Sequence, residues 1–185
     1  MTAMDDAERF HPDTLGQWRE WLDRHHRRGR GVWLVFWRRE SGHDVIEYEE
    51  SVLEALCFGW IDSTRKVLDD SRVMMWFAPR RPQSTWVRSN KERVARLEAQ
   101  GRMRPAGRTL VEAAKANGMW TALDDAEAGV VHPELAARLA VDPAATATWE
   151  ALTPAARKRH LMDLALAKTP ATLARRVDAV LATLV

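Results

Sequence analysis

Three chain junctions gather the side chains with the most chemistry. Gly59-Trp60-Ile61-Asp62-Ser63 sets a carboxylate and a hydroxyl beside an indole. Phe77-Ala78-Pro79-Arg80-Arg81-Pro82 holds two guanidinium groups between prolines, and Ser84-Thr85-Trp86-Val87-Arg88-Ser89-Asn90 adds a second indole and a carboxamide. The planar fork of arginine suits bidentate contact with a carboxylate or phosphate. Prolines on both sides of Arg80-Arg81 fix the backbone and reduce the entropy lost on binding. Trp86 offers a flat face for stacking or a cation–π contact, and Ser84 is placed to cap a helix whose free N–H groups attract anions. The expected ligand-binding set is Trp60, Asp62, Ser63, Arg80, Arg81, Trp86 and Asn90, with an anionic small molecule or an acidic protein surface as partner. Trp60 and Trp86 flank it and are expected to report binding by fluorescence. The same residues also make an internal scaffold, with Asp62 paired to Arg80 or Arg81 and Asn90 satisfying backbone. A hybrid, in which Asp62 orients an arginine that binds, is a third arrangement.

Other catalytic patterns are missing. The histidines, His11, His25, His26, His43, His132 and His160, include no HExxH or HxH spacing, so no metal is expected. There is no glycine-rich phosphate loop and no GxSxG elbow, and no cofactor is expected. Cys57 falls on the apolar face of a predicted helix and reads as core. An enzymatic reading would rest on Asp62 as a base, with Arg80 and Arg81 holding an acidic substrate. No His or Cys accompanies it there.

The 185 residues carry a formal net charge of +2, but this is an average. Residues 1–64 sum to −5, 65–108 to +8 and 109–185 to −1. A basic block between acidic flanks points to an anionic partner, nucleic acid included, or to bases that pair with the flanking acids in a mixed surface. The lone cysteine excludes an intramolecular disulfide framework. No apolar run approaches a membrane span, so membrane insertion is not expected. The start, MTAMDDAERF, has acid where an export signal needs base, giving a cytoplasmic expectation.

Apolar spacing over 12–26 (Leu15, Trp18, Leu22) predicts a helix. Val32–Trp37 is continuously apolar and predicts a strand covered on both faces. Val45–Tyr48 reads as a short partner strand. Ser51 and Glu54 have capping-box spacing and predict a helix start. Residues 61–68 and 72–78 predict a hairpin about Asp69-Asp70-Ser71, and 84–99 predicts a helix. Beyond Pro105, helices are expected at about 106–117, 121–128, 133–140, 143–151, 154–167 and 170–183, with Thr153-Pro154 and Thr169-Pro170 as start signals. The expected class is α+β: a small mixed or antiparallel sheet with packed helices, then an all-helical C-terminal half. The expected division is 1–105 and 106–185.

The run Glu54-Ala-Leu-Cys-Phe-Gly-Trp-Ile-Asp-Ser63, with Phe77-x-Pro-Arg-Arg-Pro82, Ser84-x-Trp86, Asn90-Lys-Glu-Arg93-Val, Gly101-Arg-Met103 and Pro105-Ala-Gly107, resembles the YdeI/OmpD-associated (bacteriocin-protection) family. The resemblance covers roughly 10–183 and is weaker over the C-terminal helices. It implies a role in stress or antimicrobial-peptide resistance, and it supplies no agreed reaction or catalytic residues. Two departures stand out: the lack of an export signal, and Ala78 where the family usually has a hydroxyl. Anion-binding resistance factor, nucleic-acid-binding protein and enzyme acting on an acidic small molecule are the readings this leaves.

Overall fold

The computed structural model describes residues 4 and 6–184. The export reading rests partly on residues 1–3 and 5, which lie outside that range, as does residue 185 of the predicted helical half. The chain forms two compact units: Met1–Ser84 with Lys91–Ala114, and Thr85–Asn90 with Lys115–Val185. The fold is α+β: a four-stranded sheet with helices, followed by a helical C-terminal half.

In the first unit, strands β1 (Arg9–Phe10), β2 (Val32–Trp37), β3 (Trp60–Val67) and β4 (Arg72–Pro79) lie in the order β1-β2-β4-β3. β1 runs parallel to β2 and the other pairs are antiparallel, so the sheet is mixed. Register places Val32, Leu34 and Phe36 opposite Phe77, Met75 and Val73. Helix α1 (Leu15–His25) packs on this face, with Trp18 5.3 Å from Phe77 between ring centroids. Trp33, Val35 and Met74 pack a second, smaller core on the other face. Two covered faces explain why β2 reads as an uninterrupted apolar run.

The expected strand at Val45–Tyr48 is absent, and Tyr48 instead opens helix α2 (Tyr48–Cys57). Residues 45–47 pair with no strand and lead directly into α2, whose first turn takes Tyr48. The capping box at Ser51 is also overturned. Ser51 lies inside α2 and its hydroxyl donates to the Tyr48 carbonyl at 2.6 Å. Glu49 and Glu50 supply acid in the first turn, where the helix dipole favours it. Strand β1 was not expected; it is two residues long and has no periodicity to read.

Helix α3 (Arg88–Ala99) begins four residues later than expected, so Ser84 is not its cap. The Arg88 N–H donates to Glu127 Oε2 at 2.7 Å, and a carboxylate from a distant helix does the capping. Helix α4 (Pro105–Ala116) follows.

The second unit contains α5 (Asp124–Ala128), α6 (Pro133–Leu139), α7 (Pro143–Ala151), α8 (Pro154–Ala165) and α9 (Pro170–Ala182). The last four begin with proline after an N-cap side chain that accepts a backbone N–H: His132, Asp142, Thr153 and Thr169. Proline at this position loses no helical hydrogen bond. Leu135, Trp149, Leu161, Leu164, Val177 and Val180 form the core. Among the described residues no helix is long and apolar enough to cross a membrane.

Candidate functional site

The sequence-derived residues do not form one exposed constellation. Trp60, Asp62, Ser63, Arg80 and Arg81 belong to the first unit, Trp86 and Asn90 to the second. Trp60 is fully buried, and its indole N–H donates to the His26 carbonyl at 3.1 Å. Ser63 is exposed where the β3–β4 register shifts between Asp62 and Arg65. Arg80 is only 7% exposed. Burial pushes its guanidinium pKa down to about 10, and the nearby Asp62 carboxylate acts the other way. Burial thus outweighs the attraction of Asp62, and the Arg80 backbone N–H ties the end of β4 to the Gly59 carbonyl at 2.9 Å. Arg81 is exposed. Trp86 is buried, 5.1 Å from the Trp120 ring, and Asn90 is buried.

Asp62 has a partner that the sequence did not advertise. The Tyr48 hydroxyl donates to Asp62 Oδ2 at 2.5 Å. Burial, then the Asp62 hydrogen bond and charge, push the Tyr48 phenol above its ordinary value. A raised folded-state pKa contributes stability that is complete below the ordinary phenol value of about 10 and is lost as pH rises through the folded value. Tyr48 is the sole tyrosine, so alkaline titration of phenolate absorbance reads this group alone. Ionisation is expected later than for a free phenol. Asp62→Asn should move the midpoint back towards the ordinary value, and an unchanged midpoint would remove Asp62 as a cause.

Much of the basic block meets the acids of α2 and its surroundings. Glu49 accepts from Arg93 Nε at 3.0 Å and Nη2 at 2.6 Å, and from Arg96 at 3.0 Å. Glu54 accepts from Arg19 and, at 2.7 Å, from Arg102. Arg72 pairs with Asp69 and Arg108 with Glu98. The pairs with Glu49 and Glu54 follow the mixed-surface alternative, whereas Asp69 and Glu98 are acids of the block itself.

Two basic side chains outside these pairs meet at one cavity. Arg27 and Arg104 are exposed and, among the described residues, have no ion-pair partner. Both line a cavity of about 740 Å³ with His26, Phe58, Gly59, Pro79 and the first turn of α4. Its walls are the motif junctions themselves: the end of α2, the end of β4 and Pro105-Ala106. Gly59 adopts φ +77°, and a side chain there would strike Leu110. Gly107 lets α4 lie against the end of α2, where a Cβ would come 2.5 Å from the Cys57 carbonyl oxygen. Arg104 donates its backbone N–H to that carbonyl, and its guanidinium lies 5.9 Å from the Phe58 ring centroid. His26 Nδ1 faces the Leu22 and Asp23 carbonyls at 3.2 and 2.9 Å. Nδ1 therefore carries the proton, which leaves Nε2 for other partners. One acid, Asp23, also lines the cavity, so its charge is positive but small. The start of α4 adds helix N–H groups that have no intrahelical partner.

This arrangement can hold an anion, through two forked cations and an apolar wall. Composition alone could not have located it, because Arg27 and Arg104 are far apart in sequence and resemble the paired arginines around them. Among the described residues, no three His, Cys, Asp or Glu side chains converge as a metal site would require.

Comparison with known families divides the chain. Residues 10–110 match a family model described as a domain of unknown function, DUF8412. Residues 128–185 match one described as bacteriocin-protection, YdeI or OmpD-associated. The latter match thus lies in the C-terminal helices, while the motif block of residues 54–107 falls within the former. No curated protein matches the chain, and no solved structure does.

Proposed function

The chain belongs to the DUF8412 family, and on that premise we propose that it is a binding protein, not an enzyme, which takes an anionic small molecule in the Arg27/Arg104 cavity. The observation that carries this reading is the convergence of two exposed arginines, without ion-pair partners among the described residues, on one cavity. Arg72, Arg93, Arg96, Arg102 and Arg108 each face a carboxylate. Arg27 and Arg104 face a cavity built from the motif junctions. A lining of two arginines and one acid favours a compact phosphate- or carboxylate-bearing ligand over nucleic acid, which needs many cations along one surface at once. The YdeI/OmpD-associated segment supports a role in resistance to antimicrobial peptides. A single buried thiol and no disulfide are in keeping with the cytoplasm.

Thermal shift with inorganic phosphate, pyrophosphate and citrate tests the reading. A ligand at ten times its Kd adds about 1.4 kcal/mol, or about 4 °C for a chain of this size. At least one anion should stabilise the wild type by this order. Arg27→Ala/Arg104→Ala should abolish the shift and Arg81→Ala should keep it. No shift with any of the three, or an unchanged shift in the double variant, contradicts the proposal.

A further inference from the structure

The face of the sheet that carries Phe36, Val73 and Met75 opens into a second cavity, of about 640 Å³, within the first unit. Its size is that of a small-molecule site. Phe36 and Val73 stand opposite each other across β2 and β4 and form an apolar floor with Met75. Ile46 and the half-exposed ring of Tyr48 close one side. Arg65, which opposes Met75 on β3, and Arg38, just beyond β2, bring cationic groups to this floor.

Three arginines, Arg38, Arg39 and Arg65, and two acids, Glu40 and Glu47, line it, which leaves one positive charge in excess. Arg39 is held by Glu47 at 2.8 Å. Arg38 and Arg65 have no ion-pair partner among the described residues. Arg38 Nε is moreover buried without a hydrogen-bond partner among them. An unmet buried donor costs stability and calls for an explanation. A ligand oxygen beside Arg38 supplies one. A purely apolar ligand or a cation would leave that donor unmet, whereas an anion meets it and the excess positive charge.

We infer that this cavity binds a carboxylate bearing an apolar chain, with the chain over Phe36, Val73 and Met75 and the carboxylate between Arg38 and Arg65. It shares no residue with the Arg27/Arg104 cavity and does not depend on it. Decanoate is a suitable probe, followed through the methionine methyl resonances of the full-length protein. The Met75 methyl signal should move saturably with decanoate. Decanol, which lacks the charge, should bind at least tenfold more weakly. Arg65→Ala, at an exposed strand position, should weaken decanoate binding at least fivefold, and Arg38→Gln should do the same. Arg27→Ala/Arg104→Ala should leave decanoate binding unchanged, which separates the two sites. A static Met75 signal at millimolar decanoate, equal affinity for decanol, full affinity in Arg65→Ala, or loss of binding in the Arg27/Arg104 variant would each overturn the inference.

Discussion

Glu54→Ala is expected to destabilise the first unit by about 3 kcal/mol, the lower end of what breaking a buried ion pair costs. The Glu54 carboxylate is 5% exposed and lies between Arg19 and Arg102. Removing it leaves two half-buried guanidinium groups facing each other with no anion between them. In a chain of this size the loss lowers Tm by about 9 °C. Glu50, more exposed and 3.7 Å from Arg102, is the comparison, and its replacement by alanine should cost under about 0.5 kcal/mol, as exposed pairs do. Chemical denaturation of the two variants decides the matter. A Glu54→Ala protein as stable as Glu50→Ala would mean that the bridge contributes nothing.

A methyl group at Gly107 should also be costly. Glycine inside a helix is ordinarily about 1 kcal/mol worse than alanine, so at an open position the change to alanine stabilises. At Gly107 the added Cβ would meet the Cys57 and Leu56 carbonyl oxygens at 2.5 and 2.7 Å. These are backbone atoms at the end of α2, and they cannot rotate away. α4 must move off α2, and overpacking of this kind costs about 1–3 kcal/mol. The net expectation for Gly107→Ala is a loss of about 2 kcal/mol, despite the propensity gain. Gly16→Ala is the opposite case: its nearest contact is ordinary, 3.7 Å from Thr14 Oγ1, and it should be neutral or slightly stabilising. Equal Tm for the two variants would contradict the close approach of α4 to α2.

The elements legible in the sequence are those whose signals are local. Val32–Trp37 is read to the residue because both of its faces are apolar. The hairpin around Asp69-Asp70-Ser71 follows from its turn residues, and α8 and α9 from Thr-Pro starts. What stayed hidden depends on partners far along the chain. Ser51 and Glu54 have capping-box spacing, but Glu54 serves Arg19 and Arg102, and no local rule reveals that. Ser84 looks like a cap, but Glu127 performs the task from another helix. Val45–Tyr48 has strand composition, but Tyr48 opens α2 and its hydroxyl is held by Asp62 on β3. The same reasoning governs the site. Arg80 and Arg81 attract notice because prolines bracket them, and burial then places Arg80 within the field of Asp62. Arg27 and Arg104 carry no local mark, and only the fold sets them on one cavity.

An anion at that cavity should leave its mark on the surrounding backbone. Amide chemical-shift mapping with pyrophosphate on the full-length protein tests it most directly. The largest saturable shifts are predicted at His26, Arg27, Gly59, Arg104 and Ala106, and they should be lost in Arg27→Ala/Arg104→Ala. Shifts confined to Arg80–Ser84, or none at all, would mean that the cavity holds no anion.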